Sequence, residues 1–220
     1  MFNRGKRMPD TDRALKIKLA ESYNNNATLR DRHEMEEWKR GRLELFAAQF
    51  PNRSVKVLDL GAGAGQAGEY LQRQGFEVVC ADLSPAMVEA CRRRGLNAEE
   101  QDFYSLTFEE NSFDAVWSMN ALLHVPKASL NVVLAGIKRV LRPGGLFCLG
   151  LYGGPDSEGV WENDPYEPKR FFSFYSHASI REMMQEYFEI MHFEVVPLAG
   201  DGLDFQSMIL RKNSQTRKDR

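Results

Sequence analysis

Cysteine is scarce in this chain, with only Cys80, Cys91 and Cys148 among 220 residues. An odd count without C-x-x-C spacing argues against a disulfide framework and against a dithiol or zinc-knuckle motif. Cys80 and Cys148 lie inside apolar runs, the setting of reduced, buried thiols in a cytoplasmic protein. Long apolar runs are missing as well, since none approaches the roughly 18 residues of a membrane span. Met1 to Arg13 is polar and basic without the apolar stretch of a secretory signal. A cytoplasmic location and no membrane partner are therefore expected. No group of His, Cys, Asp and Glu has ligand spacing, so no metal is expected. An excess of one charge is also lacking. Lys+Arg 29 against Asp+Glu 31 leaves a net charge of -2, which is no footprint for a long polyanion and does not favour a nucleic-acid partner. Neither internal repeats nor low-complexity segments occur.

With 43% hydrophobic residues the chain can bury a sizeable core, and its length suits one α/β domain with extensions. From Val55 onward strands and helices alternate. Residues 55–60, 77–82, 96–101, 113–119 and 146–152 read as strands, the last apolar on both faces like a central parallel strand. Helical patterns cover residues 65–74, the stretch opened by Ser84-Pro85, where serine can cap and proline fits the first helical position, and residues 126–141. In the last of these Leu130, Val133, Leu134, Ile137 and Leu141 recur at three- and four-residue steps, before Pro143-Gly144-Gly145 turns the chain. A helix over 178–186 and strands over 188–196 and 204–210 follow. The expected fold is α/β, a Rossmann-like doubly wound sheet with right-handed crossovers. Ahead of it, helices over 12–23 and 31–49 make residues 13–53 an N-terminal helical lid. Residues 54–211 form the main domain, with 153–175 as a long irregular insert covering the substrate, because loops of that length tend to be functional. Residues 1–12 and 212–220 are expected as disordered tails.

In open α/β sheets ligands bind at the carboxyl ends of the strands, at the switch point. Here these are the ends of the first, second and fourth strands. The first runs into Asp59-Leu60-Gly61-Ala62-Gly63-Ala64-Gly65, whose glycines allow a tight turn and close approach to a ligand. Seventeen residues after Gly65 comes Asp82, ending the second strand, where a carboxylate can take both hydroxyls of a ribose. The pocket should hold a nucleoside. A dinucleotide fingerprint would need its third glycine where Gln66 stands. Asp59 would repel a pyrophosphate, whereas it favours a cation by about 1 kcal/mol or more in a partly screened cleft. S-adenosylmethionine (SAM) carries an ammonium and a sulfonium and no phosphate, and fits that field better than a nicotinamide dinucleotide.

At this point the chain resembles the class I SAM-dependent methyltransferases, of the type 11-like kind. The matching residues are Val57-Leu58-Asp59-Leu60-Gly61-Ala62-Gly63-Ala64-Gly65, Ala81-Asp82-Leu83-Ser84-Pro85-Ala86-Met87, Gln101-Asp102-Phe103, Phe113-Asp114-Ala115-Val116 and Leu141-Arg142-Pro143-Gly144-Gly145. The resemblance covers roughly residues 55–152. It implies SAM as cofactor, S-adenosylhomocysteine as product, and seven strands with the last antiparallel. It places Asp59, Gly61, Ala62 and Gly63 by the methionine portion, Asp82 on the ribose, and Leu83 and Met87 against the adenine. Gln101-Asp102-Phe103 would border the adenine, with Asp102 accepting from its amino group and the Phe103 backbone N–H on a ring nitrogen. Met119 and Asn120 would border the sulfonium. Tyr23, in Tyr23-Asn24-Asn25-Asn26-Ala27, resembles the family's tyrosine–x–x–x–alanine element over the cofactor, where an aromatic face suits a sulfonium. Arg30 stands where a second aromatic is common, and Arg30 or Arg32 could hold a carboxylate of SAM or of substrate.

Several of these residues have a plainer reading. Asp82 could cap the Ser84 helix, Asp102 could be a turn aspartate, Met87 could be core and Tyr23 a helix-end core residue. Asp114 lies at the wrong end of its strand for chemistry and is read as structural. Methyl transfer is an in-line displacement in which alignment can supply up to roughly 7–11 kcal/mol. A general base, where the acceptor must lose a proton, adds about 10²–10⁴-fold. His124, just past the fourth strand, is the candidate catalytic base, the alternative being a backbone-bonded loop histidine. In the insert, Trp161, Tyr166, Arg170 and Phe171 are candidates for substrate binding, or else an apolar cover for the sheet edge. The leading expectation is transfer of a methyl group to an O, N or C atom of a small-molecule acceptor, by a monomer or homodimer. The second is a tRNA methyltransferase, because Arg170-Phe171-Phe172 is similar to the Arg-Tyr-Tyr/Phe element of wobble-uridine enzymes. The third is a non-catalytic SAM-binding partner domain.

Overall fold

The computed structural model describes residues 10–198 and 202–213. Three helices, α1 (Asp10–Asn25), α2 (Ala27–Arg32) and α3 (Glu37–Ala48), lead into an alternating unit. That unit is β1 (Lys56–Leu60), α4 (Gln66–Arg73), β2 (Glu77–Asp82), α5 (Pro85–Arg93), β3 (Asn97–Glu100), β4 (Phe113–Met119), α6 (Leu130–Val140) and β5 (Leu141–Gly153). After β5 come a small hairpin, β6 (Ser157–Val160) and β7 (Phe171–Phe174), then α7 (His177–Gln185), β8 (Glu189–Pro197) and β9 (Asp204–Arg211). The main sheet has seven strands in the order β3-β2-β1-β4-β5-β9-β8. β1 to β5 pair in parallel, whereas β9 runs antiparallel to both β5 and β8. The expected Rossmann-like sheet with an antiparallel last strand is the fold observed.

Strand alternation divides the core between the two faces of the sheet. Leu58, Leu60, Val79, Ala81, Val116, Phe147 and Leu149 point to one side and pack with Val133, Leu134 and Ile137 of α6 and Ile180 and Met184 of α7. Val57, Val78, Cys80, Ala115, Trp117 and Cys148 point to the other, against Leu43 and Phe46 of α3, Leu71 of α4 and Val88 and Cys91 of α5. Each fully buried aliphatic side chain contributes about 1.5–3 kcal/mol, so these two layers hold the sheet between the helices. All three cysteines are free and buried. Ser84 caps α5 by accepting from the Met87 amide at 3.2 Å, with Pro85 in the first turn, as the sequence indicates.

Four expectations are corrected. The helix expected over 31–49 is broken at residues 33–36 into the end of α2 and α3, and α3 buries Leu43, Phe46 and Ala47 in the core against one face of the sheet while Lys39 and Leu43 also border the cavity described below. The helix expected from Pro126 starts with a 3₁₀ turn, Lys127–Ser129, before α6 begins at Leu130. Pro143-Gly144-Gly145 does not turn the chain between elements: β5 begins at Leu141 and absorbs these residues as an irregularity in its pairing with β4, with Gly144 at φ +77°. The insert is not irregular throughout but pairs Ser157–Val160 with Phe171–Phe174. The expected tails fall largely on residues 1–9 and 214–220, outside the described residues. Of the remainder, 10–12 belong to α1, and Lys212 is tied down by its Nζ, which donates to Asn111 Oδ1 at 2.9 Å and to the Leu141 carbonyl at 2.6 Å. Among the described residues no helix is long and apolar enough to cross a membrane, and no cluster of potential metal ligands occurs.

Candidate active site

At the carboxyl end of β1 the chain turns through Gly61 and Gly63, with φ +77° and +56°. A Cβ on Gly61 would collide with that of Ala121, so this position admits no side chain. The amides of Gly61 and Ala62 donate to the Ala81 carbonyl at 2.8 and 3.1 Å. The Gly63 amide donates to Asp82 Oδ2 at 2.8 Å, while the Ser84 amide donates to Oδ1 at 2.9 Å. Asp82 therefore does two things: it pins the glycine turn and helps cap α5. Beneath the turn Asp59 is only 2% exposed, and its Oδ2 has no hydrogen-bond partner. Burial, and then the negative charge of Asp82, push its carboxyl up to about 7. A buried carboxyl with one oxygen left unpartnered is a costly arrangement that a cationic ligand nearby relieves.

The next wall follows β2 and β3. Leu83, Ser84, Asp102, Phe103 and Tyr104 line it. Asp102 Oδ1 accepts from the Tyr104 amide at 3.1 Å, and Oδ2 pairs with Lys16, reaching down from α1. Two expected neighbours are displaced. The Gln101 amide is consumed by Thr107 and Glu99, and Met87 is fully buried with Ala27, Ala64 and Ala90, so both serve the core and not the cavity. Asp114 is structural as expected, accepting from the Lys56 amide at 2.8 Å and pairing with Arg142.

The third wall is the end of β4. Met119 and Asn120 line it, Asn120 held at φ +53°. His124, 8% exposed, has both ring nitrogens engaged. Nδ1 lies 2.8 Å from the Phe171 carbonyl and Nε2 lies 2.8 Å from the Tyr23 hydroxyl. Burial holds its ring far below the usual range, at about 3, so it is neutral at any ordinary pH. Arg170 Nη1 donates to the Tyr23 oxygen at 3.1 Å, and the rest of its guanidinium is taken by the buried Asp164, at 2.8 and 2.7 Å. Arg30 approaches Tyr23 from α2, its guanidinium 5.3 Å from the ring centroid and its Nε without a partner. α2 is fixed there by Asp31 pairing with Arg93 of α5 and with Arg94 just past its end.

Tyr23, Arg30, Trp161 and Arg170 line one cavity of about 780 Å³ with Asp59, Gly61, Ala62, Gly63, Asp82 and the other wall residues above. Tyr166 and Phe171 do not. Tyr166 packs behind, its ring 4.1 Å from the Arg170 guanidinium, and Phe171 offers only its carbonyl. β7 instead turns Phe172 and Phe174 inward, and their rings stack 5.7 Å apart. Lys16 and Tyr152 are among the lining residues that sequence reasoning missed, whereas Phe172 and Phe174 were visible as insert aromatics without being ranked above Tyr166 and Phe171. Lys16, Leu19, Ala20 and Tyr23 share a helical face, a spacing that would have revealed Lys16. The parity of the phenylalanines depends on the hairpin register and left no local signal.

Residues 58–149 match the family model described as a methyltransferase domain. The fold that carries this stretch is the Rossmann-like methyltransferase fold. Among curated relatives, a sterol 24-C-methyltransferase of Gibberella zeae is 30% identical over 171 residues, covering 67% of this chain and 43% of that one. A ubiquinone biosynthesis O-methyltransferase of Xanthomonas oryzae is 34% identical over 111 residues, 47% of this chain and 46% of that one. The chain thus spans about half the length, or less, of these relatives. Among solved structures, a 1,6-didemethyltoxoflavin-N1-methyltransferase of Burkholderia thailandensis, with its acceptor and S-adenosylhomocysteine bound, superposes with a TM-score of 0.75 at 22% identity. That match covers 96% of this chain and 93% of the other. The [4+2]-cyclase SpnF superposes with a TM-score of 0.69 at 19% identity over 84% of each chain. The fold alone is therefore shared by proteins named for different chemistries.

Proposed function

We propose that this chain transfers a methyl group from SAM to a small, largely apolar acceptor. The observation that carries the proposal is the buried Asp59 carboxyl, its Oδ2 without a hydrogen-bond partner, beneath a glycine turn pinned to Asp82, a field suited to a cationic nucleoside. Bound there, SAM supplies an activated methyl group on a sulfonium. Asp82 would hold the ribose hydroxyls with its remaining lone pairs, and Asp102, Leu83 and Phe103 would frame the adenine. Arg30, beside Gly63 and lacking a partner on Nε, is placed to hold the SAM carboxylate. Tyr23, Met119 and Asn120 would border the methyl group. Beyond them Tyr152, Trp161, Phe172 and Phe174 give the rest of the cavity an aromatic wall. Its volume is ordinary for a small-ligand site, and the acceptors named for the relatives are also small or apolar.

The insert and the first two helices meet over the site. Asn25 Nδ2 donates to the Glu167 carbonyl at 3.0 Å, and Arg30 reaches the Tyr166 hydroxyl at 3.4 Å. They serve as a two-part lid, excluding water while the acceptor is aligned. A tRNA acceptor is less well supported, because Arg170 is neutralised by Asp164 and is not free to meet a phosphate. Buried, reduced cysteines suit a cytoplasmic setting. Incubation with methyl-labelled SAM and fractionated cell extract tests the proposal. Label in a small-molecule fraction supports it, label in tRNA favours the second reading, and SAM binding without any label favours a non-catalytic domain.

A further inference from the structure

We propose that the Tyr23 hydroxyl, backed by His124, takes the proton that an O–H or N–H acceptor loses during methyl transfer, a role that rests on the methyltransferase reading above. His124 cannot meet the acceptor directly. The Phe171 carbonyl can only accept, so Nδ1 carries the ring proton and Nε2 is bare. The Tyr23 hydroxyl, 2.8 Å from Nε2, must then donate to it. Its oxygen accepts from Arg170 at 3.1 Å and, with two lone pairs in all, keeps one for the cavity. Tyr23 borders the same cavity as Met119 and Asn120. The order acceptor, Tyr23, His124, Phe171 carbonyl repeats the logic of a base whose tautomer is fixed by a third group.

The step balances. A lone pair on the acceptor atom X forms the X–CH₃ bond as the C–S bond breaks, its electron pair staying on sulfur. The proton on X passes to Tyr23 Oη while the Tyr23 proton passes to His124 Nε2. The positive charge that leaves sulfur ends on the imidazolium, which returns its proton to water by way of Tyr23 once the products depart. Arg170 and Arg30, each 5.3 Å from the Tyr23 ring centroid, stabilise negative charge on the oxygen in transit. The groups facing His124 are Tyr23 of α1, Arg30 of α2, and Asp164, Arg170 and Phe172 of the insert. X becomes far more acidic as it bonds to the methyl carbon, so even a weakly basic imidazole suffices, and burial keeps that imidazole unprotonated throughout the working range.

The test combines Tyr23→Phe and His124→Gln with a readout independent of turnover. Nitrogen NMR of the imidazoles should show His124 with one protonated and one bare nitrogen, unchanged between about pH 5 and pH 8. Tyr23→Phe keeps the ring and should leave SAM affinity by calorimetry unchanged, while label transfer to the accepting fraction falls about 10²–10⁴-fold. His124→Gln should fall similarly. A Tyr23→Phe protein working at the wild-type rate overturns the relay. So does one whose SAM affinity drops in step with its rate, and so does a His124 that titrates between pH 6 and 7. Wild-type protein that binds SAM but labels nothing removes the proposed function itself, and the relay with it.

Discussion

Asp59 shows how a single buried group links stability to ligand. Its carboxyl keeps its proton in the folded protein up to about pH 7, whereas an unfolded chain releases it near about 3.9. Between those values the folded state binds more protons, so this group makes stability fall as pH rises from about 4 to about 7. Asp59→Asn should remove that slope, giving a higher Tm than wild type at pH 8 and no advantage at pH 4, as thermal denaturation would show. A cation lowers the same pKa, so SAM binding at pH 7 should release protons, seen as buffer-dependent heats. Losing the carboxylate should weaken SAM by about tenfold, equivalent to about 1.4 kcal/mol. An Asp59→Asn protein with full SAM affinity would show that the carboxyl plays no part in holding the ligand. Asp59, Gly61 and Asp82 were legible in the sequence because strand ends and spacing fix their places. Met87 and Gln101 were not, since the same residue types serve core or cavity according to a helix phase or one side-chain rotamer.

Among the elements, α1 is held over the site by polar contacts. Asp12 accepts from Ser129 and Tyr104, Lys16 pairs with Asp102, Tyr23 meets His124, and Asn24 Oδ1 accepts from the Ser84 hydroxyl at 2.6 Å and the Ala86 amide at 3.2 Å. Ile17 on the outer face is 58% exposed. Such contacts exchange for water more readily than core packing does, so α1 should open at a free energy below that of global unfolding. Its amides should exchange hydrogen faster than those of β4, and S-adenosylhomocysteine should slow them. Lys16→Met should speed dissociation of that ligand about two- to fivefold, the worth of a partly exposed ion pair. Protection of α1 equal to that of β4 would rule out a separately opening strap. Helix α1, the core strands and α6 follow from periodicity, whereas the break between α2 and α3 does not: no glycine or proline marks residues 33–36, and packing of Leu43 and Phe46 beneath the sheet decides it. The pairing of Tyr23 with His124 joins residues 101 apart, which no local pattern encodes.

At the scale of the whole molecule, strand order does the positioning. The sheet reverses direction of growth between β1 and β4, and at that point the ends of β1, β2 and β4 open into one cavity roofed by α1, α2 and the β6–β7 hairpin. The alternation of strands and helices made this architecture legible, while the roof depended on contacts between segments distant in the chain. The central claim is that this cavity is built for a cationic nucleoside and against a diphosphate. Isothermal titration calorimetry of the purified protein with SAM, and separately with NAD, tests it most directly. SAM should bind at about micromolar affinity with release of protons at pH 7, and NAD should give no heat. Binding of NAD with no heat from SAM would contradict the account.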